Sequence, residues 1–128
     1  MDAAPAPGVA ADHLRPTVIP RRWVTPLLLP ATDDPSDGHD PDDPAVRRFW
    51  TAAIGPGAVT DLLRLVAAAR TGRRVREPLH LSSLASEGLC IRSGPVVAVR
   101  RRIPSLGRHH LARLSPALRA EYRRLLDT

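Results

Sequence analysis

At 128 residues with a formal net charge of +6, the chain has room for one domain and its tails. Its one cysteine, Cys90, excludes an internal disulfide, and the lack of an apolar run of about 18 residues excludes a membrane-spanning helix. The charges are segregated: residues 1–45 carry three Arg against eight Asp, a balance of −5, while residues 46–128 carry sixteen Arg against five acids, a balance of +11, with no lysine anywhere.

Residues 1–16 combine Ala and Pro with scattered charge and are expected to form a disordered tail. Residues 17–30 (TVIPRRWVTPLLLP) are too apolar for a free tail. Pro20, Pro26 and Pro30 argue against a helix and against a central strand there. The expectation is an extended apolar arm that packs on the body or on a partner, with Trp23, Leu27, Leu28 and Leu29 as candidate partner-binding residues. Residues 31–43 follow as an acidic linker. Aligned on a calcium loop through Asp33, Asp37 and Gly38, the stretch puts Pro44 where a bidentate Glu is required, so no metal is expected. A solvated linker and an electrostatic shield for the basic body are the two readings.

A basic domain is expected over residues 44–128. Asp43-Pro44 reads as an N-cap followed by proline at the first helical position. Val46, Phe49, Trp50, Ala53 and Ile54 then share one helical face, and Gly55-Pro56 stops the helix. A second helix spans about residues 57–70, with Val59, Leu62, Leu63 and Val66 inward and Gly72 as its C-terminal glycine. Arg73 to Arg76 form a basic loop. Pro78 opens a short third helix with Leu81, Leu84 and Ala85 inward, closed by Gly88. The period then changes: Leu89, Ile91, Val97 and Val99 alternate with Cys90, Arg92, Ala98 and Arg100 around Ser93-Gly94, which signals a β-hairpin. Ser105 is expected to cap a helix carrying Leu106, His110, Leu111 and Leu114. Ser115-Pro116 opens the last helix, with Leu118, Tyr122, Leu125 and Leu126 on one side and Arg119, Arg123 and Arg124 on the other.

Helices, a short third helix and a hairpin that leaves in basic residues follow the order of a winged helix. The expected fold class is mainly α with one β-hairpin (α+β), a winged-helix-like small domain with an extended N-terminal arm. The segments FWTAAIGPGAVTDLLRL (49–65), LSSLASEGL (81–89) and VRRRIPSLGRHHLARLSPALRAEYRRLL (99–126) resemble a family of short actinobacterial proteins of winged-helix character, over under two-thirds of the chain. The resemblance implies the fold of the body and carries over no activity.

The exposed side of the third helix offers His80, Ser82, Ser83, Ser86 and Glu87, none of them a strong reader of guanine edges. The arginines sit in the loop, the wing and the last helix. Arg73, Arg74, Arg76, Arg92, Arg100, Arg101 and Arg102 are therefore candidate nucleic-acid-binding residues that touch phosphate and position the protein without reading sequence. GC-rich codon usage and selection for phosphate pairing both account for the all-Arg usage, and both stand. Dinucleotide, phosphate-loop and nucleophile-elbow motifs are all missing. His109 and His110 diverge by ~100° on a helix, so one is expected to pack and the other to meet solvent. Cys90 reads as a packed strand residue. No catalytic residue, cofactor, metal or small-molecule substrate is expected. The expected function is that of a non-enzymatic DNA-associated accessory or transcription-regulatory protein. The alternative is a protein–protein docking or dimerisation module built on the body and the Trp23 arm. The first residues lack the basic and apolar regions of a signal peptide, which makes a cytoplasmic location the expectation.

Overall fold

The computed structural model describes residues 21–30 and 38–127. The expected tail, and residues 31–37 of the expected linker, lie outside them. Helix α1 starts with a π-helical turn, Val46–Trp50, and continues as an α-helix over Thr51–Ile54. Helices α2 (Pro56–Thr71), α3 (Leu81–Ser86), α4 (Arg108–Leu111) and α5 (Pro116–Leu126) follow. Strands β1 (Trp23–Leu28), β2 (Val75–Arg76), β3 (Cys90–Ser93) and β4 (Val96–Val99) form one sheet in the order β2-β1-β4-β3. The described residues thus form a mixed α/β fold in which the expected hairpin is part of a four-stranded sheet.

Residues 17–20 of the expected arm also lie outside the described ones, and its Trp23–Leu28 is a strand inside that sheet. It pairs antiparallel with β2 through Trp23 and Val24, and parallel with β4 from Thr25 to Leu28. This corrects the expectation that its prolines bar it from a central position. Thr25 N–H donates to Pro95 O and Leu29 N–H to Val99 O, so the odd-numbered amides face β4. Pro26 faces the other way, past the end of the two-residue β2, where no ladder bond is needed. Val75 and Arg76, expected in a loop, supply that short strand.

Alternation decides the two faces of the sheet. Val24, Pro26, Val97 and Val99 are buried on the inner face, against α2 with its buried Val59, Leu62, Leu65 and Val66. Trp23, Thr25, Leu27, Ala98 and Ile91 lie on the outer face, away from the packed helix α2. Ile91 is 60% exposed and Cys90 is buried, the reverse of the expected pleat. Leu89 is also buried, but it precedes β3 and donates to Leu84 O, so it stands outside the strand's alternation. Gly94 takes φ +58 ahead of Pro95, the glycine-first order of a type II′ hairpin turn.

Most caps form where the residues imply them. Asp43 accepts the Ala45 N–H through Oδ1, Gly72 is left-handed at φ +68, and Ser115 Oγ accepts from Leu118 N–H. Ser105 caps nothing: α4 is a single turn begun by Gly107, whose N–H donates to His110 Nδ1. Ala85, Leu125 and Leu126 are exposed rather than inward, and α5 is anchored by Tyr122. The stretch 38–43 packs on the body instead of standing off as a linker. His39 and Ile103 exchange both backbone hydrogen bonds, at 2.7 and 2.8 Å. A Cβ on Gly38, at φ +86, would lie 2.4 Å from Ile103 O.

Candidate nucleic-acid interface

Strand β1 carries Arg21-Arg22 directly ahead of Trp23. The register places Arg76 opposite Trp23, so both side chains leave the outer face together. The Arg76 guanidinium carbon lies 4.3 Å from the indole centroid and that of Arg74 5.3 Å, both within cation–π range. Arg76 Nη1 also donates to Arg21 O at 2.9 Å. Trp23 remains 46% exposed.

The hairpin turn brings Arg92 to the same end of the sheet, where it pairs with Glu77 and donates to Gly94 O at 3.2 Å. An open cleft of about 790 Å³ runs between Arg21, Arg22, Trp23, Leu79 and Arg92. A smaller cavity of about 200 Å³ on the other side of Arg21 is lined by Arg64, Arg76 and Asp61. Asp61 is already engaged, accepting from His80 N–H at 3.1 Å and lying 2.8 Å from His80 Nδ1. Arg21, Arg22 and Arg64 make no ion pair among the described residues. This end therefore presents five guanidinium groups about one indole and a sixth, that of Arg64, beyond Arg21, with Glu77 and Asp61 as its acids.

The seven arginines expected at the interface do not form one group. Arg74, Arg76 and Arg92 meet at Trp23. Arg73 turns back to Thr71 Oγ1 at 3.1 Å. Arg100, Arg101 and Arg102 follow β4 and leave at the opposite end, roughly 20 Å away at ~3.3 Å per strand residue. There Arg100 Nε donates to Gly88 O at 3.0 Å and Arg102 Nη2 to Gly38 O at 2.8 Å, while Arg101 is exposed. The candidate partner-binding set also divides. Trp23 and Leu27 face out, whereas Leu28 packs against the core and Leu29 lies half-buried past the strand end. Arg21, Arg22 and Arg64 join the site without having been expected there. Two cations ahead of an alternating segment point to the first two once that segment is taken as a strand.

Three polar clusters lie elsewhere. His39 Nε2 is 2.9 Å from Tyr122 Oη, which also accepts from Leu106 N–H at 3.0 Å. Burial lowers the His39 pKa, against the pull of Asp43. Asp61 and His80 tie α2 to the start of α3. Glu87, His109 and His110 bring ligand-type atoms within 4.8 Å of one another, the spacing of a metal site. The hydrogen bonds argue against that chemistry. His110 Nδ1 accepts the Gly107 N–H, so the ring proton sits on Nε2 and points to Glu87 Oε2 at 3.2 Å. Nε2 then has no lone pair for a metal, and Arg113 occupies Glu87 Oε2 at 3.1 Å. His110 packs on Trp50 at 4.5 Å, and burial lowers its pKa despite Glu87. His109 is exposed. Burial pushes the Glu87 carboxyl up, but Arg113 and His110 outweigh it and hold the pKa below the ordinary value. Cys90 is buried, and burial raises its thiol pKa, which leaves it a poor nucleophile.

No protein-family model, curated protein or solved structure matches the chain. No described helix is long and apolar enough to cross a membrane.

Proposed function

We propose that the protein is a non-enzymatic, DNA-associated accessory or transcription-regulatory protein that grips a nucleic-acid backbone with guanidinium groups. The observation that carries this reading is the gathering of Arg21, Arg22, Arg74, Arg76 and Arg92 around Trp23 at one end of the sheet, with Arg64 beyond Arg21. Guanidinium pairs phosphate oxygens in two-pronged fashion. The helices α1 to α3 followed by the hairpin β3–β4 suit a winged-helix-like body with the hairpin as wing. The exposed Ser82, Ser83 and Ser86 of α3 offer little to a guanine edge, so backbone contacts dominate and sequence preference is weak. A cytoplasmic setting, reducing enough to keep Cys90 free, belongs to this reading.

Titrating a labelled duplex at 50, 100 and 200 mM salt tests it. Five phosphate contacts give a log–log slope of about −4.5, at ~0.9 per phosphate. No binding at the lowest salt, or binding indifferent to salt, overturns it. A second reading, a protein docking module, draws on the outward Trp23 and Leu27, the latter 50% exposed.

A further inference from the structure

We infer that the outer face of the sheet beside Trp23 stacks an unpaired base, so that the preferred ligand is single-stranded nucleic acid. The inference rests on the phosphate-gripping role proposed above and names the form of ligand it takes. Three observations lead to it.

Trp23 is the one Trp, Tyr or Phe side chain among the described residues that stands exposed; Trp50 is 1% exposed, and Phe49 and Tyr122 are buried. An indole half open to water on a surface strand is a stacking platform in search of a flat partner, and every base has a π-face. The floor next to it is shallow. Thr25, Val96 and Ala98 are short side chains on the same face, with Leu27 and Ile91 beyond them.

Cations rim the platform. Arg74 and Arg76 already lie over the indole, so a base either displaces Arg74 or stacks on a guanidinium plane, both recognised modes. Arg21, Arg22 and Arg92 line the cleft that Trp23 also lines. A duplex hides its base faces inside the stack and could use only the rim. A second copy of this chain would set one arginine cluster against another, which like charge opposes. An acidic peptide would satisfy the rim but leave the indole with no planar partner.

The test compares an oligothymidylate of twelve residues, a duplex of equal length, heparin and a polyglutamate peptide, all at one salt concentration. Trp50 is buried, so any fluorescence quenching reports Trp23. The expected result is strong quenching by the single strand only, and a loss of about tenfold in single-strand affinity for Trp23→Ala. Its duplex and heparin affinities should fall far less than its single-strand affinity. Trp23→Phe, which preserves a ring and the strand, should lose less, and it serves if the alanine variant fails to fold. Unquenched Trp23 at saturation, or equal single-strand affinity in wild type and both variants, overturns the inference and leaves the phosphate-gripping role standing. Polyglutamate binding that matches the single strand and depends on Trp23 overturns it in favour of a protein partner. Failure of every polyanion to bind at low salt removes both readings.

Discussion

The two ends of the sheet hold their arginines in different ways. Beyond β4, Arg100 and Arg102 each donate to a backbone carbonyl and fasten the chain, Arg102 tying down Gly38 where that strand of backbone meets Ile103. At the start of β1, Arg76 and Arg92 are bonded likewise, to Arg21 O and to Gly94 O and Glu77, but Arg21, Arg22 and Arg64 make no ion pair among the described residues and Arg74 rests on Trp23. A guanidinium bonded to a carbonyl keeps its charge but loses its freedom to follow a phosphate. The contrast teaches that a run of basic residues is no map of a binding surface. Two of the three arginines in the densest run, Arg100-Arg101-Arg102, are architecture, while the open cluster is assembled from four separate stretches of chain.

The sharpest way to break the fastened end is Gly38→Ala. Its methyl would collide with Ile103 O in a left-handed backbone, and a loss of about 3 kcal/mol is expected in denaturant unfolding. A loss under about 0.5 kcal/mol would mean that 38–43 is not docked as described. Tyr122→Phe comes next. It strips the oxygen that satisfies Leu106 N–H and meets His39, and should cost about 1–3 kcal/mol. Arg102→Gln should cost about 1 kcal/mol and leave the salt slope of nucleic-acid binding alone. The double variant Arg21→Gln/Arg22→Gln should do the opposite, changing stability by less than about 0.5 kcal/mol. It should flatten the slope by about 2, at ~0.9 for each phosphate no longer neutralised. Equal effects of the two changes on the slope would erase the distinction between the ends.

The smallest effect is that of acid. Burial holds His39 and His110 below the usual histidine value of about 6.5 in the folded chain. Just below that value the unfolded chain takes up protons that the folded one refuses, so stability is full above it and declines as pH falls through the folded values. Glu87, held low, adds a further loss at more acid pH. Denaturant midpoints should be flat from pH 7 to 8 and fall from pH 6.5 to 5. A midpoint that rises on acidification would contradict the buried, neutral imidazoles.

The parts of this fold that are legible in the sequence are local. The helical face of Val46, Phe49, Trp50 and Ala53, the Gly72 cap, the Ser115-Pro116 start and the Gly94 turn each depend on residues within a turn or two of one another. What escapes depends on distant partners. Pro26 is tolerated because β2 ends before reaching it, a fact set by residues some fifty positions away. Cys90 rather than Ile91 faces inward because Leu89 belongs to the preceding turn. Leu125 and Leu126 carry the period of a buried face, yet they stay 41% and 48% exposed. The interface escapes for the same reason: Arg21, Arg64, Arg76 and Arg92 become neighbours only once the sheet is formed.

The parallel pairing of β1 with β4 also sets an order of events. Thr25 meets Val96, about seventy residues later, and β1 is the only link between β2 and the hairpin. A segment that leaves the ribosome early must therefore wait for most of the described body before its neighbours exist. Its apolar run stays uncovered meanwhile, and the closure of so long a loop makes a slow, late step of maturation.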